Sequence, residues 1–137
     1  VRPNKKIPLC GVDEESLGIL RYTLTQYPYS VKVAYSSQEA LGWIRGEQFD
    51  LLLCDYSLPQ LDQLLARAKL IDESMRSIIM NARRQDTMIA DTFLIQFTIA
   101  ELLRHIRVSV MRKRGPRNGF KKPPQAEWFT LPVEKKA

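Results

Sequence analysis

Short apolar runs alternate along this chain with stretches in which apolar residues recur every three or four positions. Residues 7–12 form the first apolar run and read as a strand; Leu17, Leu20, Leu24 and Tyr27 then lay down a helical stripe. Residues 30–35 are β-branched and aromatic, with Val31 and Val33 on one face, the pattern of an edge strand. Ser36-Ser37-Gln38-Glu39 is a capping box that opens a helix with Leu41 and Ile44 on its buried side, and Gly46 closes it. Leu51-Leu52-Leu53-Cys54 follows as a continuous apolar run, the signature of a strand buried on both faces. Leu61, Leu64, Leu65 and Ala68 mark the next helix, residues 77–81 a short buried strand, and residues 92–95 a fifth strand. A second capping box, Thr98-Ile99-Ala100-Glu101, starts a helix with Ile99, Leu102, Leu103, Ile106 and Val110 on one face. His105 falls off that stripe and reads as a surface residue.

Five strands alternating with helices predict a three-layer α/β domain around a five-stranded parallel sheet. In such sheets chemistry gathers beyond the carboxyl ends of the strands. The apolar run before Asp55 ends abruptly on that carboxylate, and Ser57 and Pro59 then turn the chain away. Asp55 therefore stands where a nucleophile or a metal ligand would. Asp13-Glu14-Glu15-Ser16 occupies the equivalent place after the first strand. Taken alone, Asp13 reads as a helix cap, with Glu14 and Glu15 favouring the positive end of that helix. Paired with Asp55 it reads differently, because carboxylates at adjacent strand ends repel unless a cation such as Mg²⁺ sits between them.

Length and charge narrow the picture. At 137 residues the chain has room for one domain with a single core and a tail. It opens at Val1 without methionine and is expected to be trimmed or part of something longer. No apolar run approaches a bilayer-spanning length, and no signal peptide is read before the first strand. Cys10 and Cys54 both fall in strands and read as reduced, buried thiols, which fits a cytoplasmic location, although neighbouring strands would leave a disulfide open. The net charge is +6, yet from Arg104 onward there are ten Lys or Arg against two acids, so the preceding part carries −2. That basic tail reads first as a solvated linker and secondly as a phosphate-tracking segment.

With this element order, Val12-Asp13-Glu14-Glu15-Ser16, Glu39-Ala40-Leu41, Phe49-Asp50-Leu51 and Asp55-Tyr56-Ser57-Leu58-Pro59 resemble the receiver domain of two-component response regulators. The resemblance covers roughly residues 5–112 and leaves 113–137 as a basic tail or linker containing Pro and Gly. It implies a flavodoxin-like fold with strand order 2-1-3-4-5. It also implies a phosphoryl group accepted at Asp55 from a histidine kinase or phosphotransfer protein. Mg²⁺ would be held by Asp13, Asp55 and the main-chain carbonyl of Ser57, with Glu14 as a further candidate ligand. The domain would be a signalling module and not an enzyme.

Four departures from the family pattern stand out. Val12 replaces an acid before Asp13, Asn81 replaces the hydroxyl residue ending the fourth strand, and Gln96 replaces the lysine ending the fifth. The span from Asn81 to Gln96 is about two helical turns short, so the fourth helix is expected to be shortened or missing. Phe93 keeps the place of the aromatic switch residue. Asn81 and Gln96 donate hydrogen bonds without bringing positive charge, so a weak Mg²⁺ site and a less stabilised phosphorylated state are expected. The alternative is a pseudo-receiver that ignores phosphate and serves as a protein-interaction or dimerisation domain.

Two enzyme or binding readings fit the residues less well. A haloacid-dehalogenase-type phosphatase needs an aspartate two residues after its nucleophile, and here that residue is Ser57. Nucleotide binding lacks a Gly-rich loop after the first strand, where Asp13-Glu14-Glu15 would repel phosphates. Any homodimer is expected to use the helix from Ile99 or the Trp128, Phe129 and Leu131 group. The output domain or partner protein is not named by the sequence; nucleic acid is expected to be reached only through a further domain or the basic tail, and no membrane is expected.

Overall fold

Leu51, Leu52, Leu53 and Cys54 are each at most 1% exposed, a degree of burial that needs a strand covered on both faces. The computed structural model, which describes residues 4–83 and 90–111, supplies that cover. The elements run β1 (Lys5–Cys10), α1 (Glu14–Thr25), β2 (Tyr29–Ala34), α2 (Ser37–Gly46), β3 (Leu51–Asp55), α3 (Leu61–Ile71), β4 (Arg76–Met80), β5 (Thr92–Leu94) and α4 (Ile99–Met111). The sheet order is β2-β1-β3-β4-β5, every pairing parallel. This is the flavodoxin-like arrangement. Among the described residues no helix falls between β4 and β5.

Side-chain alternation along β3 divides the core into two layers. Leu52 and Cys54 join Cys10 and Ile79 against the buried faces of α2 and α3, including Leu41, Ile44, Leu64 and Leu65. Leu51 and Leu53 join Ile7, Leu9, Ile78 and Met80 against Leu17 and Leu24 of α1 and Leu102, Ile106 and Val110 of α4. Both capping boxes form. Ser36 Oγ accepts from the Glu39 amide at 3.1 Å, while the Glu39 carboxylate reaches back one residue further than usual, to the Tyr35 amide at 2.8 Å. Thr98 and Glu101 cap α4 reciprocally at 3.1 and 2.8 Å. Such caps stabilise by about 0.5–2 kcal/mol each.

The strand and helix limits differ from the sequence expectation where polar residues carry a strand or an apolar one overruns it. β1 begins at Lys5 and ends at Cys10, two residues earlier than the apolar run. Its polar start is held by Asp50 Oδ2 on the Lys6 amide (2.8 Å) and by Glu47, which pairs with Lys6 (2.9 Å) and Lys32 (3.1 Å). β5 stops at Leu94, the partner of Met80 at the end of β4, so Ile95 has no strand beside it and is 53% exposed. Tyr27 lies beyond α1 and is exposed. Ile99 leaves the buried stripe of α4 and is exposed as well. His105, expected at the surface, is half-buried beside a cavity of about 240 Å³ that Phe93, Gln96 and Glu101 also line. Cys10 and Cys54 are register partners on β1 and β3, both free thiols and both fully buried. The hydrogen-bonding Cys10 thiol and burial push the Cys54 thiol well above the ordinary range, so it stays neutral. No described helix is long and apolar enough to cross a membrane.

Two stability tests follow from this packing. Leu53→Ala removes a fully buried side chain from the middle of the sheet and should cost about 2–5 kcal/mol in urea unfolding. The Lys6 and Lys32 ammonium groups hold the Glu47 carboxyl below its usual 4.5. A depressed carboxylate contributes fully above its unfolded value and loses that contribution as pH falls through the folded one. Glu47→Gln should therefore narrow the stability difference from the wild type as pH drops below about 4.5, measured by urea midpoints across pH.

Candidate functional site

The carboxyl ends of β1, β3 and β4 open into a cavity of about 480 Å³, closed on one side by α1 and the start of α4. Asp13 and Asp55 both line it, with Ser57 and Asn81 beside them and Leu17, Leu20, Phe97 and Ile99 as its apolar wall. Val12 sits on its rim, half exposed. Gly11 lies where the β1 loop comes close to Leu17 and Asp55. A Cβ there would meet Leu17 Cδ2 at 3.0 Å and Asp55 Cβ at 3.4 Å.

The loop after β3 is tied down on several sides. The Tyr56 amide donates to the Met80 carbonyl at 2.9 Å and the Leu58 amide to the Asp55 carbonyl at 3.1 Å. The Ser37 hydroxyl at the start of α2 donates to the Pro59 carbonyl at 2.7 Å. Asp55 is thereby presented in one geometry. Its Oδ2 accepts from the Ser57 amide (3.0 Å) and from the Ser57 hydroxyl, and its Oδ1 accepts from Asn81 Nδ2 at 2.7 Å. Asn81 adopts φ 58°, the left-handed region in which Asn is enriched among non-glycine residues.

Asp13 occupies the N-cap position of α1, but its side chain makes no capping bond to the helix. It accepts instead from the Ser16 hydroxyl at 2.6 Å, and this bond holds the carboxyl below its usual 3.8 despite some desolvation. Ser16 is a site residue that sequence reasoning left without a role. Its signal was the three-residue spacing from Asp13, which turns it back toward the N-cap.

Not all of the expected residues meet here. Glu14 is exposed on the first turn of α1 and does not line the cavity. Gln96 is exposed and faces the neighbouring cavity with Phe93 and His105, on the other side of Phe97. Phe93 is half-buried against the α2–α3 layer. Among the described residues no Lys or Arg lines the Asp55 cavity, and no three His, Cys, Asp or Glu side chains gather as a metal cluster. Two hard carboxylate donors in one solvent-reached cavity do fit a cation that keeps most of its waters.

A parallel sheet of this order, with a carboxylate ending its third strand and a second one on the loop after the first, defines a response-regulator type of receiver. Residues 12–106 match the family model described as "Response regulator receiver domain", and the chain belongs to that family. It is 33% identical over 81 residues to the transcriptional regulatory protein ZraR of Salmonella typhimurium, covering 56% of this chain and 18% of that protein. It is 29% identical over 111 residues to the response regulator ArlR of Staphylococcus aureus, covering 74% and 51% respectively. The chain thus spans about half or less of these relatives. Among solved structures, the non-phosphorylated HemR receiver domain of Leptospira biflexa superposes with a TM-score of 0.73 at 22% identity, covering 82% of this chain and 99% of that one. The response regulator TrrA of Thermotoga maritima, solved with Mg²⁺ and BeF, gives 0.70 at 18%, covering 77% and 98%.

The Asp13–Ser16 pair has a measurable signature. Ser16→Ala should raise the Asp13 carboxyl toward 3.8, seen in an NMR carboxyl titration. Because the wild-type value is depressed, Asp13 stays ionised further into acid, and Ser16→Ala should shorten that range from below.

Proposed function

We infer that this chain is a phosphoryl-accepting module of a two-component phosphorelay, with Asp55 as the acceptor. The observation that carries the reading is the Asp55 carboxylate, fixed by Ser57 and Asn81 at the tip of a buried strand and facing a cavity that Asp13 shares. An Asp55 oxygen attacks the phosphorus of a phosphorylated histidine kinase or phosphotransfer protein. The new O–P bond forms as the donor P–N bond breaks, and the electron pair leaves with the imidazole. Asp13, Asp55 and the Ser57 carbonyl are the groups that would hold a weakly bound Mg²⁺, which offsets the negative charge gathering on the phosphoryl oxygens. The Ser57 amide and hydroxyl and the Asn81 amide supply neutral donors around the same point.

The receiver unit in this reading is residues 5–112. Residues 113–137 and the Trp128, Phe129 and Leu131 group lie outside the described residues, so the tail and any dimer through it stay proposals. A cytoplasmic setting fits both the phosphodonor and the free thiols. The second reading, a phosphorylation-independent interaction domain, draws on one observation: no cationic side chain lines the cavity among the described residues.

One experiment separates the two. Acetyl phosphate with Mg²⁺ should add one phosphoryl mass to the full chain, the adduct should be labile, and Asp55→Asn should abolish it. Modification that persists in Asp55→Asn would move the acceptor elsewhere. Absence of modification in the wild type, together with unchanged amide signals at residues 12–14 and 55–57 under high Mg²⁺, would favour the interaction domain.

A further inference from the structure

We propose that Asn81 brakes the nucleophile: its carboxamide holds the oxygen of Asp55 that attacks and so slows phosphoryl uptake. The proposal rests on Asp55 being the acceptor and adds a regulator of its reactivity.

The two carboxylate oxygens are not equivalent. Oδ2 takes two donors from Ser57, the amide at 3.0 Å and the hydroxyl, and it is the oxygen that would give up the rotatable hydroxyl bond to ligate a cation. Both donors belong to the turn that immediately follows Asp55 and move with it. Among the described residues Oδ1 takes one donor, Asn81 Nδ2 at 2.7 Å, from the end of β4 and 26 residues away in sequence. With Oδ2 on the Ser57 side given to the cation, Oδ1 is the oxygen left to attack, and the Asn81 bond falls on it.

In the resting carboxylate Oδ1 carries about half a negative charge and is a strong acceptor. As it forms the bond to phosphorus it becomes an ester-type oxygen and a poor one. The Asn81 bond is thus stronger in the ground state than in the transition state, and an interaction of that kind raises the barrier. Once the O–P bond has formed and the donor's leaving group has departed with its electron pair, the carboxamide is free to turn to a phosphoryl oxygen.

The backbone makes this arrangement hard to exchange for the family's hydroxyl residue. At φ 58° Asn is tolerated, whereas a β-branched threonine is an outlier there. Asn81→Thr should accordingly lower the melting temperature without restoring a family-like site. Asn81→Gly keeps the backbone and removes the donor, which makes it the informative variant.

The test uses the full chain with acetyl phosphate and Mg²⁺, following uptake by intact mass, and the Asn81 side-chain amide resonance by NMR. Asn81→Gly should take up phosphate about three- to tenfold faster than the wild type, the scale of losing one neutral donor. A merely structural role would slow uptake. The Asn81 amide resonance should shift in Asp55→Ala, a readout that needs neither phosphorylation nor a folded Asn81 variant. Uptake in Asn81→Gly that is equal or slower overturns the brake and leaves the acceptor intact. An Asn81 resonance indifferent to Asp55→Ala overturns the contact itself. No uptake in any variant, with the resonance still shifting, removes the acceptor reading and the brake with it.

Discussion

Everything at this site depends on β3 being buried on both faces and then having to leave the core. Four apolar residues fill both layers, and the next position, Asp55, is the first that is only partly covered. The strand pairs with β1 on one side and β4 on the other, in register Leu9 with Leu53 and Asp55 with Met80. Those pairings bring the loop after Cys10 and the residue after Met80 to the same edge as Asp55. Asp13 and Asn81 reach the cavity as a consequence of sheet register, with no separate device to bring them there. The helices follow the same logic, since each layer of the sheet needs one apolar cover and receives two helices.

The parts of this arrangement that follow from local pattern were readable in the sequence, and the parts that follow from tertiary contact were not. The apolar run ending on Asp55, the α3 stripe and the Thr98–Glu101 box all stand where periodicity places them. The apolar pattern sets β1 two residues late, because Lys5 and Lys6 look like loop residues until Glu47 and Asp50 arrive from beyond the distant end of α2. The apolar pattern of β5 runs one residue past the strand, because its limit is set by where β4 ends, which its own residues do not encode. In the site, the two acids were visible as strand-end carboxylates. The bond from Ser16 and the left-handed turn at Asn81 were not, since both depend on side-chain direction and a backbone angle. Gln96 shows the converse: its sequence position is that of a site residue, yet the turn after Leu94 leaves it facing the other cavity.

The electrostatics separate this receiver from its family pattern more than the fold does. Two carboxylates line a cavity whose described lining includes no cation. A hydrogen bond from a charged donor contributes about 1.5–3 kcal/mol and one from a neutral donor about 1. If Asp55 is the acceptor, as proposed, two carboxamides in place of the lysine and hydroxyl, one of them facing elsewhere, stabilise a phosphorylated state less and leave the resting carboxylate well bonded. The equilibrium between the two states should lie further toward rest than in a lysine-bearing receiver. A ligand can shift such an equilibrium only by its differential affinity for the two states. On the proposed function, the positive charge that a phosphorylated state lacks here would come from a cation at Asp13 and Asp55 or from the partner that covers the cavity.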